Sequence, residues 1–194
     1  MIEALQSGRP VRSVPVPEDA PDALRNLTPL TGKPVLFVAN VDEGDDAVPA
    51  VVADHAAAAG AGAVAVSSRI EAELSELDEE EAAAMRGEMG VGASGLSRVV
   101  AGAFGLLDLI AFFTAGEDKP AQSWHMRRGL SAWHAAGEIH SDIQRGFVRA
   151  EVIGWDALVE AGGYARARDR CTLRLEGRDY QMDDGDVITV KFTP

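Results

Sequence analysis

The chain has 194 residues, 46% of them hydrophobic and 25% charged, with a formal net charge of −13. That length holds one large domain or two small ones, and there is enough Val, Ile, Leu and Phe to build cores, which excludes disorder along the whole chain. The acidity is uneven: residues 1–110 carry 7 Lys and Arg against 18 Asp and Glu, whereas residues 111–194 carry 11 against 13. Phosphates repel so acidic a chain, which makes it a poor general binder of nucleic acid, while a local basic face on the second half stays open.

In chain order, Ile2–Gln6 reads as the end of a helix, broken by Gly8, Pro10, Pro15, Pro17 and Pro21. Asp22–Leu27 reads as about one helical turn. Lys33–Asn40 is a short apolar run opened by Pro34 and closed by Asn40, the pattern of a buried parallel strand. Asp45–Ala59 follows as an Ala-rich helix ended by Gly60, then Ala63–Ser67 as a second buried strand. Arg69–Leu77 is helical, with Ile70, Leu74 and Leu77 on one face, and Glu79–Glu88 is an acidic helix. Gly95–Asp108 carries the stripe Leu96, Val99, Val100, Ala103, Leu106 and Leu107. This order is part of a doubly wound α/β sheet.

The rhythm changes near residue 110. Ile110–Thr114, Gln122–Arg127, Phe147–Trp155, Thr172–Leu175 and Val187–Phe192 read as short strands, with the turn Asp183-Asp184-Gly185-Asp186 between two of them. One helix, Asp156–Ala161, is expected to start at an Asp cap and stop at Gly162-Gly163. Five short strands and one helix make a small α+β domain, and a β-grasp roll suits that order.

Val99–Leu107 and Leu109–Gly116, split by Asp108, and His55–Ser68 are the longest apolar stretches. None reaches the roughly 18–20 residues of a membrane-spanning helix. Met1 is followed by Ile-Glu-Ala-Leu-Gln, with neither a basic start nor an apolar stretch, so no signal peptide is expected. Cys171 is the single cysteine and has no partner for an internal disulfide, which fits a reducing cytoplasm.

The chemistry-bearing residues begin at Asn40-Val41-Asp42-Glu43. In P-loop GTPases an Asn-Lys-x-Asp sequence follows a buried strand: the Asn amide reaches the base and the Asp carboxylate accepts both guanine donors. Here Val41 replaces the Lys and Glu43 the Asp. A shifted, longer carboxylate cannot form that clasp on guanine, while Val41 can still pack on a purine face, so adenine is the expected base. The same residues also serve as an Asn turn after any parallel strand. Ser67-Ser68 closes the next strand and can offer backbone N–H groups to a base, cap the helix through Ser68, or do both.

No Gly-x-x-x-x-Gly-Lys-[Ser/Thr] phosphate loop stands in the 194 residues. Gly32-Lys33 is a decoy, with Leu27 in place of the first Gly and Pro34 in place of the Ser or Thr. This chain alone is therefore expected not to hydrolyse nucleotide. His55, His125, His134, His140 and Cys171 lack zinc spacing, so no metal site is expected. Trp124, Trp133 and Trp155 read as core, unless one stands exposed beside Arg127 or Arg128 as a recognition surface.

Several long strings are familiar. Leu30–Glu43 and Ser67–Asp78 resemble the base-recognition region of the YchF / Obg-like ATPase family, and Leu109–Gly116 resembles the entry to its C-terminal TGS domain. Ala136–Val152 and Leu175–Asp186 resemble that domain closely, and the match runs colinearly along the whole chain. The resemblance implies an ATP-preferring, translation-associated, ribosome-binding P-loop ATPase that uses Mg²⁺ with ATP in the full-length family. It maps residues 1–30 to the end of a helical arm and linker. Residues 31–109 become the C-terminal part of the nucleotide-binding domain, and 110–194 a ubiquitin-like β-grasp TGS domain. It sets Asn40, Val41 and Glu43 at the adenine, with Ser67 closing the pocket.

By the same map the P-loop, both switches and the Mg²⁺ ligand are expected to be missing, with everything before the helical arm. Ala121–Trp133 also departs from the family pattern, at His125, Leu130 and Trp133. A second function class follows from the Arg-rich second half: a non-catalytic module docking on ribosome, RNA or protein through Arg127, Arg128, Arg145 and Arg149. The half sheet carries a third expectation, that partly uncovered faces of Val35–Ala39 and Ala63–Ser67 invite homo-oligomers.

Overall fold

The computed structural model describes residues 2–16, 26–90, 92–116 and 119–193, and most of the helical turn expected over 22–27 lies outside them. Two compact units divide the chain, Met1–Leu106 and Leu107–Pro194. No helix among the described residues is long and apolar enough to cross a membrane.

The first unit opens with α1 (Ile2–Gln6) and carries β1 (Leu36–Asn40), α2 (Ala50–Ala58), β2 (Gly62–Val66), α3 (Ser68–Leu74), α4 (Glu79–Glu88) and α5 (Gly95–Leu106). β1 and β2 pair in parallel, Leu36 opposite Gly62 through Asn40 opposite Val66. β1 is parallel as its apolar run predicts, but it is not buried. None of its residues is fully covered and Val38 is 52% exposed, and among the described residues β2 is its one strand neighbour. α2 starts at Ala50 rather than Asp45, because Pro49 supplies the fixed φ of a helix entry and residues 42–45 are held in a turn by Asp45 N–H to the Asp42 carbonyl. Two glycines on α5 let it press on β2. A Cβ at Gly95 would stand 2.5 Å from Val66 Cγ1, and one at Gly102 2.9 Å from Val64 Cγ1. The i, i+7 spacing sets both on one helix face. Ile70 and Leu74 of α3 and Ala82 of α4 form a separate small core with Met89.

In the second unit the strands are β3 (Leu109–Gly116), β4 (Lys119–Arg127), β5 (Phe147–Gly154), β6 (Arg174–Glu176) and β7 (Asp186–Phe192). They make one sheet in the order β4-β3-β7-β5-β6, antiparallel except for the β3–β7 pair. α6 (Ala132–Ile139), α7 (Ser141–Arg145), α8 (Trp155–Ala161) and α9 (Tyr164–Asp169) complete it.

Alternation along β3 explains its continuous apolar sequence. Ile110 and Phe112 are fully buried in a core with Ala132 and Ala135 of α6, Met126, Ala150, Val152 and Ile188. Phe113 and Ala115 point to the other face, against Ile153, Val187 and the residues of α8 and α9. A strand covered on both sides reads as a hydrophobic run.

The single helix expected here is a correction: four are present among the described residues. α6 is anchored by Ser131 and His134 in a reciprocal cap, and α8 begins at Trp155 after Gly154, not at an Asp156 cap. Gly162, at φ +78°, ends α8 in the left-handed region as expected from the Gly pair.

Candidate functional site

The carboxyl ends of β1 and β2 are adjacent, which puts Asn40 and Ser67-Ser68 side by side. In open α/β sheets ligands bind in the crevice outside these strand ends. Val41 N–H donates to the Val66 carbonyl at 3.0 Å, continuing the pairing one residue past β1. Asn40 Oδ1 accepts from Ser68 N–H at 3.0 Å and from Ser68 Oγ at 2.6 Å. The backbone N–H can only donate, so the amide must present its oxygen there. Its Nδ2 group, a donor, has no partner among the described residues.

Ser67 takes the cap position of α3, correcting the expectation for Ser68, yet its side chain makes no cap bond. Asn40 does that work from the neighbouring strand. Ser67 is 93% buried by its 7% exposure, and its Oγ has no hydrogen-bond partner. A buried unpaired hydroxyl costs about 1–3 kcal/mol, and Ser67 Oγ is such an atom at this strand end, beside the exposed and unpartnered Asn40 Nδ2.

Val41 is half-buried. Glu43 is exposed and lies in the turn, beside Gly44 at φ +87°. Asp46, three residues on, is tied to Arg98 of α5 at 2.8 Å. This ion pair anchors the loop that carries Glu43 and was invisible to sequence pattern, since 52 positions separate the two residues.

The structure thus brings Asn40, Val41 and Ser67 together at one strand end and sets Glu43 in the following turn. The set offers a purine an amide donor, an apolar side chain and a hydroxyl, so it fits the base end of a nucleotide. Among the described residues no group of three or more His, Cys, Asp or Glu is arranged to hold a metal ion.

The four arginines picked from the second half separate. Arg128 pairs with Asp108 at 3.4 Å and Arg145 pairs with Asp142. Arg127 ends β4 opposite Leu109. Arg149 lies on β5 opposite Lys191 of β7. Among the tryptophans, Trp124 packs on the core and donates to Thr114 Oγ1 at 3.0 Å, and Trp133 lies under the Arg178 guanidinium, 5.3 Å from the ring centre. Trp155 is 56% exposed, beside the Asp183–Asp186 turn rather than Arg127 or Arg128: a Cβ on Gly185 would meet its ring at 2.7 Å.

Asp186 is the buried carboxylate of that turn. It accepts from Tyr180 Oη and from Asp183 N–H, both at 2.9 Å, with Arg174 at 3.5 Å. Burial, and next the bond to Asp186, push the Tyr180 phenol up to about 12.

A parallel strand pair with an Asn and two serines at its carboxyl ends, followed by a mixed five-stranded sheet, defines a two-unit mixed α/β protein. The YchF-GTPase_C model, described as a protein of unknown function (DUF933), matches residues 109–193. The Ribosome-binding ATPase YchF of Bacillus subtilis is 39% identical over 98% of this chain and 53% of its own length. The protein of the same name from Haemophilus influenzae is 36% identical over 99% of this chain and 53% of its own. The structure of the Schizosaccharomyces pombe YchF GTPase matches with a TM-score of 0.74 at 26% identity, over 96% of this chain and 50% of that one. The chain is thus similar to YchF proteins along nearly its whole length, and to the YchF-GTPase_C model over its second unit. It spans about half the length of the curated relatives it matches.

Proposed function

We propose that this chain forms the base-recognition and ribosome-docking part of a YchF-type, ATP-preferring ATPase acting in the cytoplasm. Residues 1–30 are the end of the helical arm and linker, 31–109 the last part of the nucleotide-binding domain, and 110–194 a TGS domain of β-grasp type. The observation that carries the nucleotide reading is the Asn40 amide. Its oxygen is committed to Ser68, which leaves its Nδ2 group to donate to a purine ring nitrogen. Val41 packs on the base and Ser67 closes the pocket. Glu43, displaced from the position of the guanine-clasping Asp, favours adenine. ATP would bring Mg²⁺ with its phosphates, and neither is held by residues of this set.

The β-grasp reading is supported by the sheet order, in which the first and last strands of the unit, β3 and β7, lie parallel at the centre.

Because the 194 residues contain no phosphate loop, the polypeptide by itself acts as a binding module and turns over no nucleotide. Calorimetric titration with ATP tests this. The base contacts alone give dissociation constants weaker than about 100 µM, since most of a nucleoside triphosphate's polar contacts are to its phosphates. Micromolar ATP binding or phosphate release by the purified chain would refute it.

A further inference from the structure

We propose that Arg98 is a positioning residue for base selection: through Asp46 it fixes the loop that carries Glu43, and so sets the preference for adenine over guanine. The proposal rests on the base-recognition reading above and assigns the residue that controls it.

Residues 42–46 read Asp-Glu-Gly-Asp-Asp, and the four acidic residues are all exposed. Backbone fixes the loop at its ends. Val41 N–H donates to the Val66 carbonyl at 3.0 Å, and the Pro49 carbonyl accepts from Val52 N–H at 2.9 Å at the start of α2. Between these ends Gly44, at φ +87°, lets the chain turn. Among the described residues the loop makes one side-chain bond, from Arg98 Nη1 to Asp46 Oδ1 at 2.8 Å. Carboxylates this close in sequence repel one another, so the loop is drawn out toward water wherever that cation does not hold it.

Arg98 stands on a firm platform. It lies three residues after Gly95 and four before Gly102, on the face of α5 that the two glycines bring against β2. Its side chain is 24% exposed against 54% for Asp46. Its Nε is buried without a hydrogen-bond partner. A guanidinium held inward with one donor unsatisfied costs free energy, and its one bond goes to the loop.

The base supplies the chemistry of selection. Adenine carries an amino donor where guanine carries a carbonyl oxygen. A carboxylate held at that edge accepts from the first and repels the second. On an untied loop the carboxylate swings away from the guanine oxygen and discriminates weakly. Glu43 is therefore selective only while Asp46, three residues on, is tied to α5.

The test uses the full chain with AMP and GMP, in nitrogen–proton correlation NMR titrations that follow the amides of residues 40–46. The readout is the ratio of the two dissociation constants, because a change in loop charge acts on both nucleotides alike. The unaltered chain binds AMP about tenfold more tightly than GMP, the effect of one discriminating hydrogen bond to a charged group. R98A and D46A each bring the two affinities to within about twofold of one another. D46A leaves α5 untouched, so a matched loss in both variants is not a folding defect. R98K keeps a cation in reach of Asp46 and retains most of the preference. An AMP preference that survives R98A or D46A would refute the proposal and leave the base-recognition reading in place. R98K as unselective as R98A would refute the ionic tie. No AMP binding, or no AMP preference, in the unaltered chain would remove the reading and the proposal together.

Discussion

The double role given to Asn40 can be separated by two substitutions. Asn40→Ala removes the acceptor for Ser68 N–H and Ser68 Oγ. That leaves the first turn of α3 without its cap, since Ser67 makes no side-chain cap bond of its own. Loss of a cap costs about 0.5–2 kcal/mol. Asn40 is exposed, so water repairs part of the loss, and about 1 kcal/mol is the working value. For a unit of this size that lowers the melting temperature by about 4–6 °C.

Asn40→Asp keeps an oxygen in place and adds a negative charge at a helix N-terminus, which is worth about 0.3–1 kcal/mol in the favourable direction. It abolishes the Nδ2 donor. Thermal melts and urea titrations of the three proteins therefore rank Asn40→Asp at or above the original, and Asn40→Ala below both. Equal stability of Asn40→Ala and the original would refute the cap. Equal destabilisation by both substitutions would show that Nδ2 has a structural partner, and would undo the argument that it is free for a base.

Two further outcomes test the second unit. Gly146→Ala drives a Cβ into the Thr193 carbonyl oxygen, where Thr193 N–H also bonds the Gly146 carbonyl at 2.9 Å. Backbone cannot yield as a side chain does, so the cost is about 3 kcal/mol, read as a loss of cooperative unfolding at ordinary temperatures. Gly177→Ala, which meets nothing within 4 Å, is the control and leaves the melt unchanged. The Tyr180 phenol, raised to about 12 in the folded unit against 10 unfolded, contributes stability that is full below pH 10 and is lost as pH rises through 12. Between those values the original unfolds more readily with each step in pH, and Tyr180→Phe shows a shallower decline in the same urea titrations. Identical pH slopes in the two proteins would contradict the Tyr180–Asp186 bond.

Some of this fold was legible because apolar runs bounded by turn residues mark β1, β2, β3 and β7. Burial followed only in part: β1 is partly exposed, and Leu96, Val100 and Leu107 of the stripe predicted over Gly95–Asp108 are exposed, because the helix meets β2 through Gly95 and Gly102. The helices of the second unit were hidden for specific reasons. α6 buries Ala132, Ala135 and Ala136, and alanine contributes little contrast to a hydrophobic pattern, although the i, i+3, i+4 spacing and the Ser131 start signal were there to be read. α9 spells Tyr-Ala-Arg-Ala-Arg-Asp, a two-residue alternation that imitates a strand. Only its contacts, Tyr164 and Ala167 inward and Arg166 and Arg168 outward, make it helical.

The candidate sites divide by the same logic. Asn40 and Ser67 could be found because each directly ends a strand, so local order fixed their proximity once the strands were parallel. Charge did not behave this way. The arginines that stand out in sequence, Arg127, Arg128, Arg145 and Arg149, are not equivalent, because the carboxylates that cancel two of them are set by a strand start at Asp108 and a helix turn at Asp142. Lys191 stands opposite Arg149, and Arg168 pairs with Glu151, only through strand register and helix placement. A net charge of −13 describes the long-range field that repels a polyanion. Which cations stay unpaired within a Debye length of about 8–10 Å of one another is decided by the fold.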